Sequence, residues 1–448
     1  MARTKLSGFP EWSVEGRLIE LHVLDSLRHV FELHGFSNIE TRAVETLDSL
    51  LSKGETSKEV YLLERLQVLK KGEHTDKDRR IGLHFDLTVP LARYVLDNVN
   101  DLHFPFKRYQ IQKVWRGERP QEGRFREFTQ ADIDIVGNGA LPFHFEVDLP
   151  LVMAEALSSL PIGPFKILAN NRKVVQGVCE ALGVGDVDAA LRGLDKLDKI
   201  GPEGVTEELA EAGISGDQAR TLLTMAQIHT DDVAELRDGI DALELSNDIL
   251  REGLDELCAL ISDAHERMPG AVFADLKIAR GLDYYTGSVY ETVLTEHPSL
   301  GSICSGGRYD SLASDGKRSY PGVGLSIGVS RLVSRMIAQP MVTATRTSPA
   351  AVVVAVMNEE DRGHSNRIAA TLRSRGIPTD VAPTAAKFGK QIRYADRLGI
   401  PFVWFPDASE GDTVKDIRSG DQVEADCETW MPPAEDMHPR IASATQED

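Results

Sequence analysis

Val114-Trp-Arg-Gly-Glu-Arg-Pro-Gln-Glu-Gly-Arg-Phe-Arg-Glu-Phe-Thr-Gln-Ala-Asp-Ile-Asp134 is the most informative stretch of this 448-residue chain. Its middle is rich in Gly, Pro and Arg, and residues 106–136 around it alternate apolar and polar types. That pattern predicts two antiparallel strands joined by a long loop. Side chains two apart on a strand share a face, so Arg124, Arg126, Phe128, Gln130, Asp132 and Asp134 make one row. Between Lys107 and Arg126 stand seven basic and two acidic residues, which concentrates cations on the loop. A solvated arginine hairpin leaves Phe128 unexplained among polar neighbours. A polyphosphate site accounts for both features, because guanidinium groups clamp phosphates bidentately and an aromatic ring stacks on a base.

Upstream, residues 14–34 read as an amphipathic helix through Leu18, Leu21, Leu24, Leu27 and Phe31, ending at Gly35 as a C-cap. Downstream, Val272–Ile278 and Ser288–Leu294 are strand-like. Val323, Leu325, Ile327 and Val329 alternate, after which Val329, Leu332, Val333, Met336 and Ile337 take helical spacing. Antiparallel strands with helices against them predict an α+β core over 1–340. Within it, Asp186 to Glu266 holds 21 acidic and 6 basic residues, so 15 of the 20 net negative charges of the chain sit there. With Leu243, Leu250, Leu254 and Leu257 at helical spacing, 175–268 reads as a helical acidic insertion. Thr343–Pro349 marks a linker over 341–349. Then Ala351–Met357, Arg362–Arg375, Ile377–Val381, Ala386–Leu398 and Ile400–Phe405 alternate as βαβαβ. This predicts an α/β domain with parallel strands over 350–430, followed by a loose tail, 431–448.

Composition narrows the function classes. With 42% hydrophobic and 27% charged residues, the chain reads as a soluble globular protein. It has no apolar run of the roughly 20 residues a bilayer span needs, and no signal-peptide core follows Met1. Four widely spaced cysteines without a CxxC pair argue against a disulfide scaffold and for a cytoplasmic protein. A net charge of −20 excludes a uniformly basic nucleic-acid coat, though not a local basic face. A P-loop is missing, the 12 histidines lack HExxH spacing, and Gly322-x-Gly324-x-x-x-Gly328 is one residue too long for a dinucleotide fingerprint. Gly306-Gly307 reads as a tight turn or a close backbone approach.

Four segments together carry a resemblance. Trp115-Arg116-Gly117-Glu118 with Arg124 and Phe128 is similar to the second signature of class II aminoacyl-tRNA synthetases. Gly322 to Leu332, a Gly-rich strand running to Arg331, resembles the third. Ala279-Arg280-Gly281-Leu282-Asp283-Tyr284-Tyr285-Thr286-Gly287 and Ser305-Gly306-Gly307-Arg308-Tyr309-Asp310 resemble two segments peculiar to the histidyl-tRNA synthetase family. The chain departs from the usual pattern at Thr41-Arg42 and at His84.

The resemblance implies a class II antiparallel sheet core with helices, a helical insertion, and a C-terminal α/β anticodon-binding domain. It implies ATP-dependent activation of L-histidine to histidyl-adenylate, transfer to tRNA(His), Mg2+ carried by ATP, no metal held by the protein itself, and a homodimer. For the nucleotide it implies Arg116 at the α-phosphate, Arg124 at the γ-phosphate, Phe128 and Arg331 on either side of the adenine, and Glu118 near its amino edge. For the amino acid it implies Asp86, Thr88 and Gln130 at the ammonium, on a strand. Arg116 and Arg280 would act at the reacting carboxylate, and Asp134, Tyr284 and Tyr285 at the imidazole. Arg280 and Arg116 would be the catalytic groups. The residue chemistry agrees: neutral imidazole has one donor and one acceptor nitrogen, and a site that pairs both rejects apolar analogues by roughly 10⁴-fold or more. Asp134 can also be read as pairing with Arg126 or another structural arginine.

In the C-terminal domain, Arg362 to Arg397 holds eight basic and two acidic residues. Lys387, Lys390 and Arg393 fall on one predicted helix with Phe388 and Tyr394 between them, and the resemblance makes them anticodon contacts. A non-catalytic histidine-binding regulator, similar to the synthetase-like subunit of ATP phosphoribosyltransferase, is the alternative. Such proteins lack the C-terminal domain and the ATP arginines, and this chain has both.

Overall fold

The computed structural model describes residues 6–51, 59–67, 80–121, 123–278, 285–314, 316–339, 341–407 and 409–443. They fall into two units, one of Met1–Pro10 with Val23–Arg335 and one of Glu11–His22 with Met336–Asp448. The first helix runs Val14–Leu33 and Gly35 follows it at φ +76°. Its buried apolar residues are Ile19, Val23, Leu24, Leu27, Val30 and Phe31; of the five expected positions Leu24, Leu27 and Phe31 are buried, Leu18 is half-buried and Leu21 is exposed.

Twelve strands of the first unit are numbered along the chain: β1 Ser37–Asn38, β2 Val44–Thr46, β3 Leu62–Leu63, β4 Ile81–Leu83, β5 Phe106–Trp115, β6 Glu127–Val136, β7 Phe165–Asn171, β8 His229–Thr230, β9 Val272–Asp275, β10 Ser288–Leu294, β11 Cys304–Tyr309 and β12 Gly322–Gly328. β2, β4 and β3 form a small antiparallel sheet. The other nine lie in the order β1-β5-β6-β12-β11-β10-β7-β9-β8. All neighbours are antiparallel except β1–β5 and β7–β9. β5 and β6 pair over ten residues each, from Phe106 opposite Val136 to Trp115 opposite Glu127. One face of β6 buries Ala131, Ile133 and Ile135; each isoleucine side chain contributes about 1.5–3 kcal/mol of transfer free energy. The other face buries Gln130, Asp132 and Asp134. Buried polar groups are kept where they find partners, and this second face forms the floor of the site.

The acidic segment is helical, with helices Val187–Leu194, Leu197–Glu211, Gly216–Met225, Val233–Asp241 and Asp248–Arg267. Asp186, Ser215, Asp232 and Asn247 cap four of them by accepting backbone N–H groups, so part of its polar composition is explained by helix starts. The segment is joined to the sheet, since β8 within it pairs with β9 at the sheet edge. A Cβ on Gly177 would lie 2.5 Å from the Leu250 nitrogen; glycine there lets helix Arg172–Ala181 pack directly on helix Asp248–Arg267.

The second unit contains β13 Val342–Ala344, β14 Val352–Val354, β15 Thr379–Val381, β16 Phe402–Phe405, β17 Thr413–Asp416, β18 Gln422–Glu424 and β19 Ile441–Ser443. Its main sheet has the order β15-β14-β16-β17-β18. The three strands of the βαβαβ pattern are parallel, and β17 and β18 extend them as an antiparallel pair. Residues 341–349 are more than a connection, and 431–443 more than a loose tail, because β13 pairs with β19. Arg346 Nη2 donates to the Asp436 carbonyl at 2.9 Å, and Arg418 grips the Asp436 carboxylate through two 2.8 Å contacts.

Candidate active site

The polar row of β6 begins at Phe128. The Arg116 guanidinium lies over its ring, 5.1 Å from the centroid, a cation–π geometry. Arg116 Nη2 donates to Gln130 Oε1 at 3.1 Å and Nε donates to the Phe85 carbonyl at 3.1 Å. Gln130 Nε2 donates to Ser326 Oγ on β12 at 2.7 Å and to Asp132 Oδ1 at 3.3 Å, and Ser326 Oγ donates to the same carboxylate oxygen at 2.5 Å. Burial pushes the Asp132 carboxyl above its ordinary range, against the opposing pull of Arg108.

At the far end of the row, Asp134 Oδ2 lies 2.6 Å from Arg108 Nη2, and Tyr309 Oη donates to Asp134 Oδ1 at 2.8 Å. Thus the arginine beside Asp134 is Arg108, directly opposite it on β5. Arg126 instead donates through Nε to the Glu118 carbonyl. Burial and the Asp134 charge hold the Tyr309 hydroxyl well above the ordinary phenol range, which makes it a neutral donor. Two glycines of β12 make room here. A Cβ on Gly324 would lie 2.0 Å from Asp134 Oδ1, and one on Gly322 would lie 2.5 Å from the Tyr309 ring. The 322–328 glycine pattern therefore serves side chains of neighbouring strands. Gly306 and Gly307 lie within β11 rather than in a turn, and a Cβ on Gly306 would come within 1.9 Å of the Gly324 carbonyl oxygen.

The other nucleotide candidates gather at the Phe128 end. Thr129 N–H donates to Ser330 Oγ at 2.9 Å, which sets Phe128 and Arg331 on adjoining backbone. Arg331 donates to the carbonyls of Gly123 at 3.2 Å, of Leu300 at 3.5 Å, and of Ser302. Its guanidinium thus ties the hairpin loop to the segment around Leu300 and Ser302. Arg124 Nη1 stands 4.0 Å from Glu118 Oε2. Arg124 and Arg126 precede β6, so the one-face alternation holds only from Phe128 to Asp134. Burial and the neighbouring Glu118 push the Glu59 carboxyl above its ordinary range.

Asp86 lies in the turn between β4 and helix Thr88–Asn98, and Thr88 is the first residue of that helix, so neither is on a strand. Asp86 Oδ1 accepts the Val89 N–H at 3.1 Å, so the carboxylate that was expected on a strand opens a helix. The Arg116–Phe85 bond brings this turn to the row. Tyr285 packs against β11, where a Cβ on Gly307 would lie 3.0 Å from its ring. The segment after it is pinned by Thr286 Oγ1 to Asp310 at 2.5 Å and by Ser288 N–H to the buried Glu146 at 3.1 Å. Arg280 and Tyr284 lie outside the described residues.

In the second unit, Lys390 and Arg393 line a cleft of about 580 Å³ with Gln391, Tyr394 and Arg397. Lys387 precedes helix Phe388–Arg397 as its N-cap residue and is not among the lining residues. The Tyr394 hydroxyl donates to Asp380 Oδ2 at 3.1 Å.

Arg108, Asp132, Tyr309 and Ser326 were not singled out as site residues by the sequence reading. A signal for Arg108 was present. Arg108, Gln110 and Gln112 put polar groups at every second place of β5, opposite Asp134, Asp132 and Gln130, so both strands carry a polar inward face.

A family model described as histidyl-tRNA synthetase matches residues 18–332, and one described as anticodon binding domain matches 351–430. The chain is 56% identical to the histidine–tRNA ligase of Micrococcus luteus, covering 99% of each. It is 50% identical to that of Thermobifida fusca, covering 95% of this chain and 98% of the relative. The crystal structure of histidyl-tRNA synthetase from Nostoc sp. PCC 7120 is similar at a TM-score of 0.82 and 36% identity, over 95% of this chain and 97% of that one.

Proposed function

The chain belongs to the histidyl-tRNA synthetase family, and we propose that its residues perform that family's reaction as follows. The activity is ATP-dependent activation of histidine followed by transfer of the histidyl group to tRNA. A histidine carboxylate oxygen attacks the α-phosphorus of ATP, and the bond to the pyrophosphate oxygen breaks. The terminal ribose hydroxyl of tRNA(His) then attacks the acyl carbon and AMP leaves. Neither step requires a protein nucleophile. In-line positioning and neutralisation of developing charge carry the rate, and one well-placed donor is worth about 10²–10³-fold.

Arg116 serves the α-phosphate and the histidine carboxylate together, with Gln130 as its brace. Arg124, Glu118, Phe128 and Arg331 form the nucleotide end. Asp86, Thr88 and Gln130 take the ammonium, Asp134 and Tyr285 face the imidazole with Tyr284, and Arg280 joins Arg116 at the reacting carboxylate. ATP enters as its Mg2+ complex; among the described residues no group of three or more His, Cys, Asp or Glu is gathered to hold a metal. The second unit reads the anticodon through Lys390 and Arg393, with Lys387 at the helix start, and the protein works as a homodimer in the cytoplasm. No described helix is long and apolar enough to cross a membrane.

One observation carries this reading: hydrogen bonds run from the half-buried Arg116 through Gln130 and Ser326 to Asp132, and Asp134 is the next residue on the same face of β6. A phosphate-binding cation and a ring-binding carboxylate therefore share one floor. Histidine-dependent exchange of labelled pyrophosphate into ATP tests it. Exchange with histidine alone among the amino acids is expected, and Asp134→Asn should lower kcat/KM for histidine at least tenfold. Folded protein without exchange ends the proposal.

A further inference from the structure

We propose that Arg108 is a positioning residue that decides the charge state in which the amino acid is taken: paired with Asp134, it makes the ring pocket accept uncharged imidazole and refuse imidazolium. This rests on the reading that Asp134 faces the ring.

An ionised carboxylate alone on the floor of a buried pocket attracts a cation, and imidazolium satisfies it better than imidazole. The floor here is different. Arg108 and Asp134 stand opposite each other on β5 and β6 with 2.6 Å between Nη2 and Oδ2, their side chains 0% and 4% exposed. A positive ring placed against Asp134 would meet the Arg108 guanidinium as a like charge in a poorly screened site. The scaffold does not account for the arginine by itself. Among the described residues its Nη2 reaches only Asp134 and, at 3.4 Å, the Leu87 carbonyl, while Nε and Nη1 are buried and find no hydrogen-bond partner there. A buried pair so incompletely bonded is weak support for a fold, since apolar replacements of similar volume are often as stable.

The other described groups around the pair do not restore a net negative charge facing the ring. From β6, Asp132 spends one oxygen on Ser326 and Gln130, and burial favours its uncharged form. From β11, Tyr309 donates to Asp134 as a neutral phenol, and Tyr285 adds a second phenol beside it. β12 supplies only Gly324 and Ser326. A further carboxylate, Asp86, acts on Asp132 and is assigned above to the ammonium; Arg116 is bonded to Gln130. Neutral imidazole fits this floor because it brings one donor and one acceptor and no charge.

The test is pyrophosphate exchange by the full chain between pH 5.5 and 8.5. KM for histidine should climb as the free ring protonates, approaching about tenfold per pH unit well below its pKa of roughly 6.5, with little change in KM for ATP. A triazole analogue of histidine, too weak a base to protonate in this range, should compete with a pH-independent Ki. Arg108→Lys should keep the histidine slope and Arg108→Gln should flatten it. A flat histidine KM in the unaltered protein, a triazole Ki that climbs in parallel, or an unchanged slope in Arg108→Gln overturns the proposal; the first two need no variant to fold. Asp134→Asn separates the two readings. If it leaves kcat/KM for histidine unchanged, the ring site itself is misplaced. If it is damaging while Arg108→Gln keeps the slope, only the role of Arg108 falls.

Discussion

The Thr129 N–H donates to Ser330 Oγ across 2.9 Å, and this bond joins two stretches of chain that lie 201 residues apart. Phe128 and Arg331 are the next residues on either side, so one backbone-to-hydroxyl bond aligns the proposed walls of the adenine site. Ser330 is 2% exposed, and water does not replace its hydroxyl readily. Ser330→Ala should deprive the buried Thr129 N–H of this acceptor, at a cost of about 1–3 kcal/mol. KM for ATP should rise several-fold and KM for histidine much less. Denaturant titration together with exchange kinetics checks this, and equal rises in both KM values would show a global rather than a local effect.

Gly324→Ala should act through Asp134. A Cβ would stand 2.0 Å from Asp134 Oδ1, a distance at which the carboxylate must leave Arg108 and Tyr309. At least a hundredfold loss of kcat/KM for histidine is expected, on the scale of one misplaced substrate contact. Gly185, whose added Cβ would meet nothing within 4 Å, is the matched control, and Gly185→Ala should leave kinetics as they are. Near-normal activity in Gly324→Ala would contradict the tight floor.

Asp132 sets a pH-dependent stability. Its folded carboxyl is raised above the usual 3.8 by burial, so the unfolded chain gives up this proton more readily. The group's contribution to stability is therefore fully present below the unfolded pKa and is lost as pH rises through the folded one. Asp132→Asn removes that loss while keeping an acceptor for Ser326. Melting temperature should rise by roughly 1–3 °C at pH 8 and the gain should vanish near pH 4. A gain independent of pH would refute this cause.

Lys390 and Arg393 line the cleft of the second unit. Replacing both by Ala should raise KM for tRNA about three- to tenfold and make its dependence on log salt shallower by roughly one to two. Pyrophosphate exchange should be untouched. A parallel loss of exchange would show that the two residues support folding instead.

Much of this architecture can be read from local pattern. Alternation over 106–136 marks β5 and β6 because each runs ten residues, and the three parallel strands of the second unit announce themselves as apolar runs between helices. β1 and β8 are two residues long, too short for any period, which is why the acidic segment reads as separate from the sheet that it joins. The β13–β19 pair links residues about 100 apart and leaves no local mark, so its two strands read as linker and tail. Asp86 looks like a strand residue because apolar neighbours surround it, but its carboxylate accepts a helix N–H and turns the chain.

What the sequence by itself determined is which side chains lie on the inward face of β6, since a two-residue period is a property of an extended backbone whatever surrounds it. It also supplied the glycines at 322 and 324 without revealing their purpose. Only the tertiary structure decided that Arg108, and not Arg126, is paired with Asp134, and that the Arg116 guanidinium lies over the Phe128 ring. Those choices follow from strand register and loop closure. A shift of one residue between β5 and β6 would turn Arg108 to the opposite face, and no property of the residues taken singly records which register is formed.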